Sequence, residues 1–321
     1  MAAAGSTELL ISAARSGDRR AIGRLISIVE NDGVAATGIL QAVYADSHAS
    51  WVTGLTGAPG AGKSTLVNLL IGEWRERGRR VAVLAVDPTS PFTGGALLGD
   101  RIRMQHGSEN GGVLVRSMAT RGWLGGMGRA TERVATLCAG LGFDEVLIET
   151  VGVGQSEVDV AAAADTTVVV VTPGWGDGVQ VAKAGVMEIG DVFVVNKADR
   201  DGTDATVREL QEMLRLVDHP WSPPVVATVA TSGSGLEELT EALLAHRAAL
   251  AGHGNGPRRA ARRLRDFRRA VLNELEAALL PLVDGPVGAE LQAEVATGAR
   301  DPWSAAAALI ARTRIAPDAG D

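Results

Sequence analysis

The spacing of hydrophobic residues along the chain changes twice, near residue 50 and near residue 250, and so divides the chain into three parts. Residues 7 to 45 carry apolar side chains at helical spacing, for example at Leu9, Leu10 and Ala13, and Gly17 interrupts the run. This spacing predicts two or three short helices. We therefore expect a helical extension at the start of the chain, over residues 1–45.

From Trp51 to about Leu250, short runs of apolar, mostly β-branched residues alternate with amphipathic segments. The runs cover residues 52–56, 81–86, 113–115, 145–148, 166–172, 192–196 and 225–230. Each run is nearly continuous, which is typical of strands that are buried on both faces of a parallel sheet. Strands and helices in alternation predict an α/β fold with a doubly wound, mostly parallel sheet over residues 46–251. In such sheets ligands bind at the carboxyl ends of the strands.

A joint rich in glycine and proline, Gly252 to Pro257, precedes a third pattern. Apolar residues then recur every three or four positions, as at Leu264, Phe267 and Val271. They predict a long amphipathic helix that stops near Pro281 and Gly285, and a second short helix over residues 303–313. These helices bury little surface by themselves, so the apolar stripe of this C-terminal region (residues 252–321) needs a partner surface.

A glycine-rich loop follows the first predicted strand and opens a predicted helix. Its residues are Gly57, Ala58, Pro59, Gly60, Ala61, Gly62, Lys63, Ser64 and Thr65. In this pattern the glycines let backbone N–H groups converge on phosphate oxygens, while Lys63 neutralises the β and γ charges and the Ser64 hydroxyl ligates Mg²⁺. The loop is the strongest signal in the chain, and it predicts a nucleoside triphosphate bound with Mg²⁺.

The sequence Asn196-Lys197-Ala198-Asp199 ends the sixth predicted strand, on the same edge of the sheet as the loop. A carboxylate there accepts two hydrogen bonds from N1–H and the 2-amino group of guanine. Adenine has neither donor and would leave Asp199 unpaired, so such a site discriminates by several kcal/mol. We expect Asn196 to tether the loop and Lys197 to cover the purine, and the nucleotide to be GTP or GDP.

A second contact with the base is expected from Val229, Ala230 and Thr231, at the end of the seventh run. GTPases generally have serine where this chain has Val229. Valine has no hydroxyl, so we expect the contact to come from backbone N–H groups, chiefly that of Ala230.

Candidate metal ligands lie at other strand ends. Mg²⁺ prefers oxygen ligands, including water, and Ser64, Asp87, Asp100 and Glu149 offer them. Asp87 has the alternative role of a strand-end cap, and Asp100 that of a helix cap. Glu149 stands where most GTPases have aspartate, and we expect the N–H of Gly152, three positions on, to contact the γ-phosphate and make this loop sensitive to hydrolysis.

The position after Gly152 is Val153, where many regulatory GTPases have a glutamine that orients the attacking water. Valine cannot polarise water, so we expect slow hydrolysis until another group or protein completes the site. Gln155 lies two positions later and is a weaker candidate for that role.

The composition limits the remaining options. The formal net charge is −7, and the single cysteine, Cys138, cannot form an internal disulfide. No apolar run reaches the roughly 18 residues of a membrane-spanning helix, and we expect a cytoplasmic protein. Seven arginines crowd the start of the long C-terminal helix: Arg258, Arg259, Arg262, Arg263, Arg265, Arg268 and Arg269. Phe267 is the single aromatic residue among them and no base-reading motif accompanies them, so a solvated face or ion pairs between subunits is favoured over a nucleic-acid arm.

With these motifs placed, the chain resembles the methylmalonyl-CoA mutase-associated GTPases, the MeaB/ArgK family, over roughly residues 17–290. The resemblance rests on residues 86–90, Gly94-Gly95, 98–100, Arg121-Gly122, 124–126, 149–157 and 196–199. Residues 149–157, which read Glu-Thr-Val-Gly-Val-Gly-Gln-Ser-Glu, are more diagnostic than the phosphate loop. The family belongs to the GTPase class that includes the signal-recognition-particle and nickel-chaperone proteins.

The resemblance implies a chaperone for an adenosylcobalamin-dependent acyl-CoA mutase, usually methylmalonyl-CoA mutase. In such proteins GTP hydrolysis gates cofactor loading and protects or reactivates the mutase. It also implies that the C-terminal helices form a homodimer, and that a mobile loop covers residues 173–180, with Asp177 and Lys183 as partner-sensitive charges. The candidate catalytic set is therefore Lys63, Glu149, Gly152, Asp177 and Lys183.

Three alternatives stay open at this point. A nickel-type metallochaperone would need a His/Cys-rich site, which a lone Cys138 and five scattered histidines do not offer. A kinase acting on a transport protein would need an acceptor site that the sequence does not reveal. A regulatory binder with negligible turnover differs from the leading interpretation only in its hydrolysis rate.

Overall fold

A seven-stranded parallel sheet lies at the centre of the protein, as the apolar runs predict. The computed structural model describes residues 2–31, 34–87, 112–119, 129–150, 156–174, 180–217, 221–252 and 256–312. The strands are β1 (Trp51–Gly57), β2 (Val81–Asp87), β3 (Val113–Ala119), β4 (Glu145–Thr150), β5 (Thr166–Val171), β6 (Val192–Asn196) and β7 (Val225–Thr228). Their order is β3-β2-β4-β1-β5-β6-β7, with every neighbouring pair parallel.

Helices alternate with the strands along the chain, and further helices precede the first strand and follow the last one. They are α1 (Ala2–Arg15), α2 (Arg19–Glu30), α3 (Val34–Val43), a 3-10 helix (Tyr44–Ala49), α4 (Lys63–Glu76), α5 (Arg129–Gly140), α6 (Ser156–Ala163), α7 (Gln180–Ile189), α8 (Thr203–Leu214), α9 (Leu236–Gly252), α10 (Gly256–Val283), α11 (Pro286–Ala296) and α12 (Pro302–Ala311). Among the described residues, none of these helices combines the length and the apolar character needed to cross a membrane.

The apolar core lies on both faces of the sheet. Side chains of α4 and α9, such as Leu70 and Leu239, pack with Leu147 and Val170 on one face. On the other face α5 and α6 pack over β2 and β4, and α7 and α8 pack over β5 and β6. Strands covered on both faces explain why their sequences are continuous apolar runs. The doubly wound α/β fold predicted from the sequence is confirmed.

An aspartate immediately precedes each of the strands β4, β5 and β6. Its carboxylate accepts a backbone N–H from a neighbouring strand, or from the residue just before that strand. The pairs are Asp144 with Arg80 (2.7 Å), Asp165 with Val52 (3.0 Å) and Asp191 with Thr167 (2.9 Å). These N–H groups lie at the amino-terminal edge, where a ladder partner is missing. The carboxylates supply the missing acceptor and fix the register of the sheet there.

The N-terminal helices form an outer layer over α5. The buried face of α2 includes Ile22, Leu25 and Val29, and it belongs to the same apolar cluster as Leu137 of α5. Asp18 caps α2 by accepting the N–H groups of Arg20 and Ala21. The helical extension that the spacing of residues 7–45 predicts is therefore present.

The chain divides into two compact units, residues 1–259 and residues 260–321. The division into residues 1–45, 46–251 and 252–321 stays a prediction. In the second unit α10 ends at Val283, between Pro281 and Gly285 as predicted, and the structure differs from the sequence prediction in that α11 is an additional helix. Pro286 and Gly285 begin α11, and its mixed pattern of alanine and glutamate gave no clear helical period.

Candidate functional site

The phosphate-binding loop joins β1, the strand beside which the strand order reverses, to α4. Crevices at this point of a doubly wound sheet hold ligands. Gly60 and Gly62 have φ values of +75° and +96°, which only glycine adopts readily. A Cβ at Gly62 would lie 2.2 Å from Asn196 Nδ2, while a Cβ at Gly60 would meet nothing within 4 Å. Gly62 therefore also makes room for Asn196 at the end of β6.

Lys63 is the first residue of α4, and its side chain lies within the loop. Its Nζ donates to the carbonyl oxygens of Gly57 (2.7 Å) and Ala58 (3.0 Å). The residue is 6% exposed. A positive charge is thus fixed at the amino end of a helix, where the backbone dipole also favours an anion.

Ser64 and Glu149 meet at the carboxyl ends of β1 and β4. The Ser64 hydroxyl donates to Glu149 Oε1 at 2.5 Å, and Glu149 is buried. A hydroxyl and a carboxylate at this distance are the oxygen ligands that Mg²⁺ takes, together with water and phosphate. The two residues therefore fit a Mg²⁺ ion bound beside the phosphate loop.

Asp87 is the last residue of β2, whose partner at that end is β4, so its backbone reaches the same edge as Glu149. The described residues hold no group of three or more His, Cys, Asp or Glu side chains arranged for a metal. Asp100, Gly152 and Asp177 lie outside the described residues, as does the side chain of Lys183. Their predicted roles stay predictions.

Asn196 connects the end of β6 to the phosphate loop and to β7. Its Nδ2 donates to Ala61 O (2.7 Å), and its Oδ1 accepts from Thr228 Oγ1 (3.1 Å) and the Ala230 N–H (3.1 Å). Asn196 is 1% exposed. One hydrogen bond therefore ties Asn196 to the phosphate loop, which is the tethering role expected of it, and two tie it to the end of β7.

Lys197 lies in the left-handed region, with φ +61°, which is uncommon for a residue other than glycine. Its Nζ donates to Gly60 O at 2.7 Å. The side chain therefore runs from the end of β6 across to the phosphate loop. Asp199 is exposed two residues later, where its carboxylate is available to a base.

The third segment, residues 229–231, closes this end of the sheet as a turn. Val229 pairs with Ser234 in an isolated bridge, and Ala230 is buried. The Ala230 N–H already donates to Asn196 Oδ1. The predicted contact of this N–H with a base would therefore have to share the donor with Asn196.

Thr228, which donates to Asn196, was not among the site residues predicted from the sequence. Its position could have identified it, because Thr228 and Asn196 are the last paired residues of β7 and β6.

Cys138 is the only cysteine and is completely buried in α5. Burial raises the pKa of its thiol to about 12. A thiol that stays protonated is a poor metal ligand, because metals bind the thiolate. This residue therefore offers no support for a metallochaperone site.

Comparisons with known proteins agree with this geometry. A family model described as methylmalonyl-CoA mutase-associated GTPase MeaB matches residues 22–281. The chain is 47% identical over 294 residues to a Pyrococcus abyssi protein named as a GTPase, which covers 90% of this chain and 87% of that protein. It is 36% identical over 254 residues to the GTPase ArgK of Escherichia coli, across 75% of this chain and 76% of ArgK.

A mouse protein named methylmalonic aciduria type A homolog, mitochondrial, is 41% identical over 197 residues, which are 59% of this chain and 47% of the mouse protein. Among solved structures, a crystal structure described as LAO/AO transport system kinase has a TM-score of 0.68 at 23% identity, and covers 96% of this chain and 97% of its own. At that identity the likeness supports the fold.

Proposed function

The chain belongs to the MeaB family of methylmalonyl-CoA mutase-associated GTPases, and on this basis we propose that it is a GTP-driven chaperone of an adenosylcobalamin-dependent acyl-CoA mutase. The protein is a GTPase that binds guanine nucleotides. The proposal adds the partner and the use of the hydrolysis. Its principal support is the family match across residues 22–281, which extends over the phosphate loop and the base reader together.

Recognition of GTP follows from two groups of residues on one edge of the sheet. The loop 57–64 would surround the phosphates with backbone N–H groups and the Lys63 ammonium. Asp199 would accept N1–H and the 2-amino group of guanine. Because Asn196 and Lys197 both bond to the loop, the phosphate and base positions would be held at a set spacing. That spacing would place Asp199 at the edge of guanine that carries the two donors adenine lacks.

For hydrolysis, Mg²⁺ would be held by Ser64 and Glu149, directly or through water, and would neutralise charge on the β and γ phosphates. Ser64 donates to Glu149 in the structure, so this pair keeps two ligands preassembled. Lys63 would stabilise the charge of the transferring phosphoryl group from within the loop.

Val153 supplies no group to orient the attacking water, which favours slow turnover by the protein alone. The mutase would then stimulate hydrolysis, and Gly152, Asp177 and Lys183 would respond to its docking. With such coupling, the rate of GTP hydrolysis would depend on whether the mutase is bound.

We further propose a homodimer formed through the C-terminal helices. The apolar stripe of α10 is exposed: Leu264 and Phe267 are each 67% exposed, Val271 is 41% and Leu275 is 38%. Four large side chains exposed along one helix would cost solubility unless another surface covered them. The distribution of charge on α10 favours a second copy of the chain as the surface that covers the apolar stripe.

The charge on α10 changes sign along its length. Its first half carries the arginines, among them the exposed Arg263, Arg265 and Arg268, and its second half carries Glu274 and Glu276. Two copies of the helix in antiparallel contact would therefore place the basic half of each against the acidic half of the other, while burying the apolar stripe. Parallel contact would oppose like charges.

The test of the chaperone proposal is GTP turnover with and without purified methylmalonyl-, isobutyryl- and ethylmalonyl-CoA mutase. We expect turnover to rise with one of them, and a joint peak on a sizing column in one nucleotide state. Ser64→Ala is the matched control, because it should still bind the mutase but show no stimulated turnover. Unchanged turnover with separate elution for all three mutases would remove the chaperone role and leave the GTPase assignment intact.

A further inference from the structure

Residues 197–202 join the end of β6 to α8 and carry Asp199 in a tight turn. The Arg200 N–H donates to Lys197 O at 3.0 Å, so Ala198 and Asp199 are the two central residues of this turn. The Asp199 side chain is exposed, and within the described part of the chain no group donates to its carboxylate. The position of the carboxylate therefore depends on the backbone of the turn.

Thr203, the first residue of α8, holds the turn across Asp199. Its hydroxyl donates to Arg200 O at 2.8 Å and to Ala198 O at 3.2 Å. A hydroxyl has one proton, so the two carbonyl groups share it, and the contact with Arg200 is the shorter one. These carbonyl groups belong to the residues directly before and after Asp199. One hydroxyl therefore joins the two sides of the turn.

The place of Thr203 in the helix indicates that its hydroxyl serves the turn and not the helix end. The N-cap of α8 is Gly202, with φ +86°, and it makes no side-chain hydrogen bond to the helix. Threonine is a strong cap when it occupies the N-cap position itself. Here it lies one position later, where its hydroxyl bonds to carbonyl groups that precede the helix. The helix thus begins without a side-chain cap, and the threonine stabilises the turn around Asp199.

The helix that carries Thr203 is itself attached to the strands of the site. Leu210 and Leu214 of α8 pack in one apolar cluster with side chains of β5 and β6. Thr206, one turn after Thr203, is buried and accepts the Gly174 N–H at 3.2 Å. Gly174 follows β5, which lies between β1 and β6 in the sheet. The hydroxyl of Thr203 is therefore presented from a helix with its own contacts to the strands that carry the site.

We propose that Thr203 is a positioning residue for guanine recognition, because it holds the turn in the conformation that directs Asp199 to the base. This inference rests on the proposed guanine-binding role of Asp199. Without the hydroxyl the turn would be less ordered, and the binding of the nucleotide would have to supply the free energy of ordering it. The loss should affect GTP, which Asp199 would contact, and spare ATP, which has neither of the two donors.

The test compares the affinities for GTP and ATP, measured with Mg²⁺ by competition against a fluorescent GDP analogue. Thr203→Val removes the hydroxyl and keeps the branched shape, while Thr203→Ser keeps the hydroxyl. Thr136→Val on α5 is the matched control, because it removes a hydroxyl that donates to Glu132 O at 3.1 Å. Thermal unfolding checks that each variant folds, and Thr203→Ala replaces Thr203→Val if valine is not accepted there.

We expect Thr203→Val to bind GTP about 2- to 12-fold more weakly, which is the equivalent of one hydrogen bond, with its affinity for ATP unchanged. Thr203→Ser and Thr136→Val should keep the preference of the original chain for GTP. In the presence of Asp199→Asn, Thr203→Val should cause no further loss of that preference, because the two residues act together. A purely structural role would give the same loss with and without Asp199→Asn.

Two results would overturn the proposal in different ways. An unchanged preference for GTP in Thr203→Val, or equal weakening of GTP and ATP, would remove the positioning role and leave Asp199 as the residue that recognises guanine. Equal affinities for GTP and ATP in the original chain would instead remove the guanine-binding role of Asp199, and this inference with it. The assay contains no mutase, so neither result depends on the proposed chaperone function.

Discussion

Gly62→Ala tests the contact between the phosphate loop and residues 196–199, the proposed guanine-binding segment. Gly60→Ala is its matched control. Both glycines have positive φ, so each substitution strains the backbone by about 1–2 kcal/mol. Only at Gly62 does the new Cβ collide, at 2.2 Å from Asn196 Nδ2. Asn196 is buried and makes three hydrogen bonds, so it cannot move without losing them.

The extra cost of Gly62→Ala follows from these contacts. Each lost hydrogen bond costs about 0.5–1.5 kcal/mol, or about 1.5–4.5 kcal/mol for the three together. At about 1.4 kcal/mol for each factor of ten, Gly62→Ala should bind GDP about 10- to 1500-fold more weakly than Gly60→Ala. Titration with a fluorescent GDP analogue measures this ratio, and thermal unfolding checks that both variants fold. Affinities for the two variants within about threefold of each other would refute the reasoning.

Three further predictions concern separate parts of the molecule. Burial raises the pKa of Glu145 from 4.5 to about 7, despite its contact with Arg247. The native state therefore keeps a proton that the unfolded chain loses, and stability falls by up to about 3 kcal/mol as the pH rises through this window. Urea unfolding from pH 4.5 to 8 should show this loss in the original chain and not in Glu145→Gln. Ser64→Ala should lower kcat for GTP by more than about 100-fold, because Mg²⁺ loses a ligand, as followed by phosphate release. Phe267→Asp should shift the mass measured by light scattering from dimer to monomer, because a charge enters the apolar stripe.

Each of these has a control within the chain. Glu238→Gln on exposed α9 should leave the pH dependence of unfolding unaltered, and the same slope in Glu145→Gln as in the original chain would contradict the buried-carboxyl explanation. Ser64→Ala should still bind GDP when Mg²⁺ is chelated, and undiminished kcat would remove Ser64 from the metal site. Glu238→Gln on α9 should remain dimeric, and a monomeric original chain would contradict the dimer proposal itself.

The sheet could be predicted because buried parallel strands have an unambiguous sequence pattern. The runs at 81–86 and 192–196, for example, are continuous and match β2 and β6 within one residue. The candidate site could be predicted for a related reason: Lys63, Glu149 and Asn196 each lie at or just after the carboxyl end of a strand, and the topology brings those ends together.

Other features depend on contacts that local sequence does not encode. Asp165 and Arg259 are 94 residues apart, and no sequence pattern near either residue predicts that the two form a pair. The α11 helix was missed because its apolar period is weak. The use of the Ala230 N–H by Asn196 could not be foreseen, since it depends on how closely the end of β7 approaches β6.

The central claim is that a carboxylate at the end of β6 reads guanine at a fixed distance from the phosphate loop. Calorimetry with GTP, ATP and xanthosine triphosphate, each with Mg²⁺, tests it on the original chain and on Asp199→Asn. We expect GTP to bind at least about 100-fold more tightly than ATP, and Asp199→Asn to weaken GTP and favour xanthosine triphosphate, since an amide can donate to the 2-oxo group. Equal affinities for GTP and ATP in the original chain, or an unchanged preference in Asp199→Asn, would contradict the account.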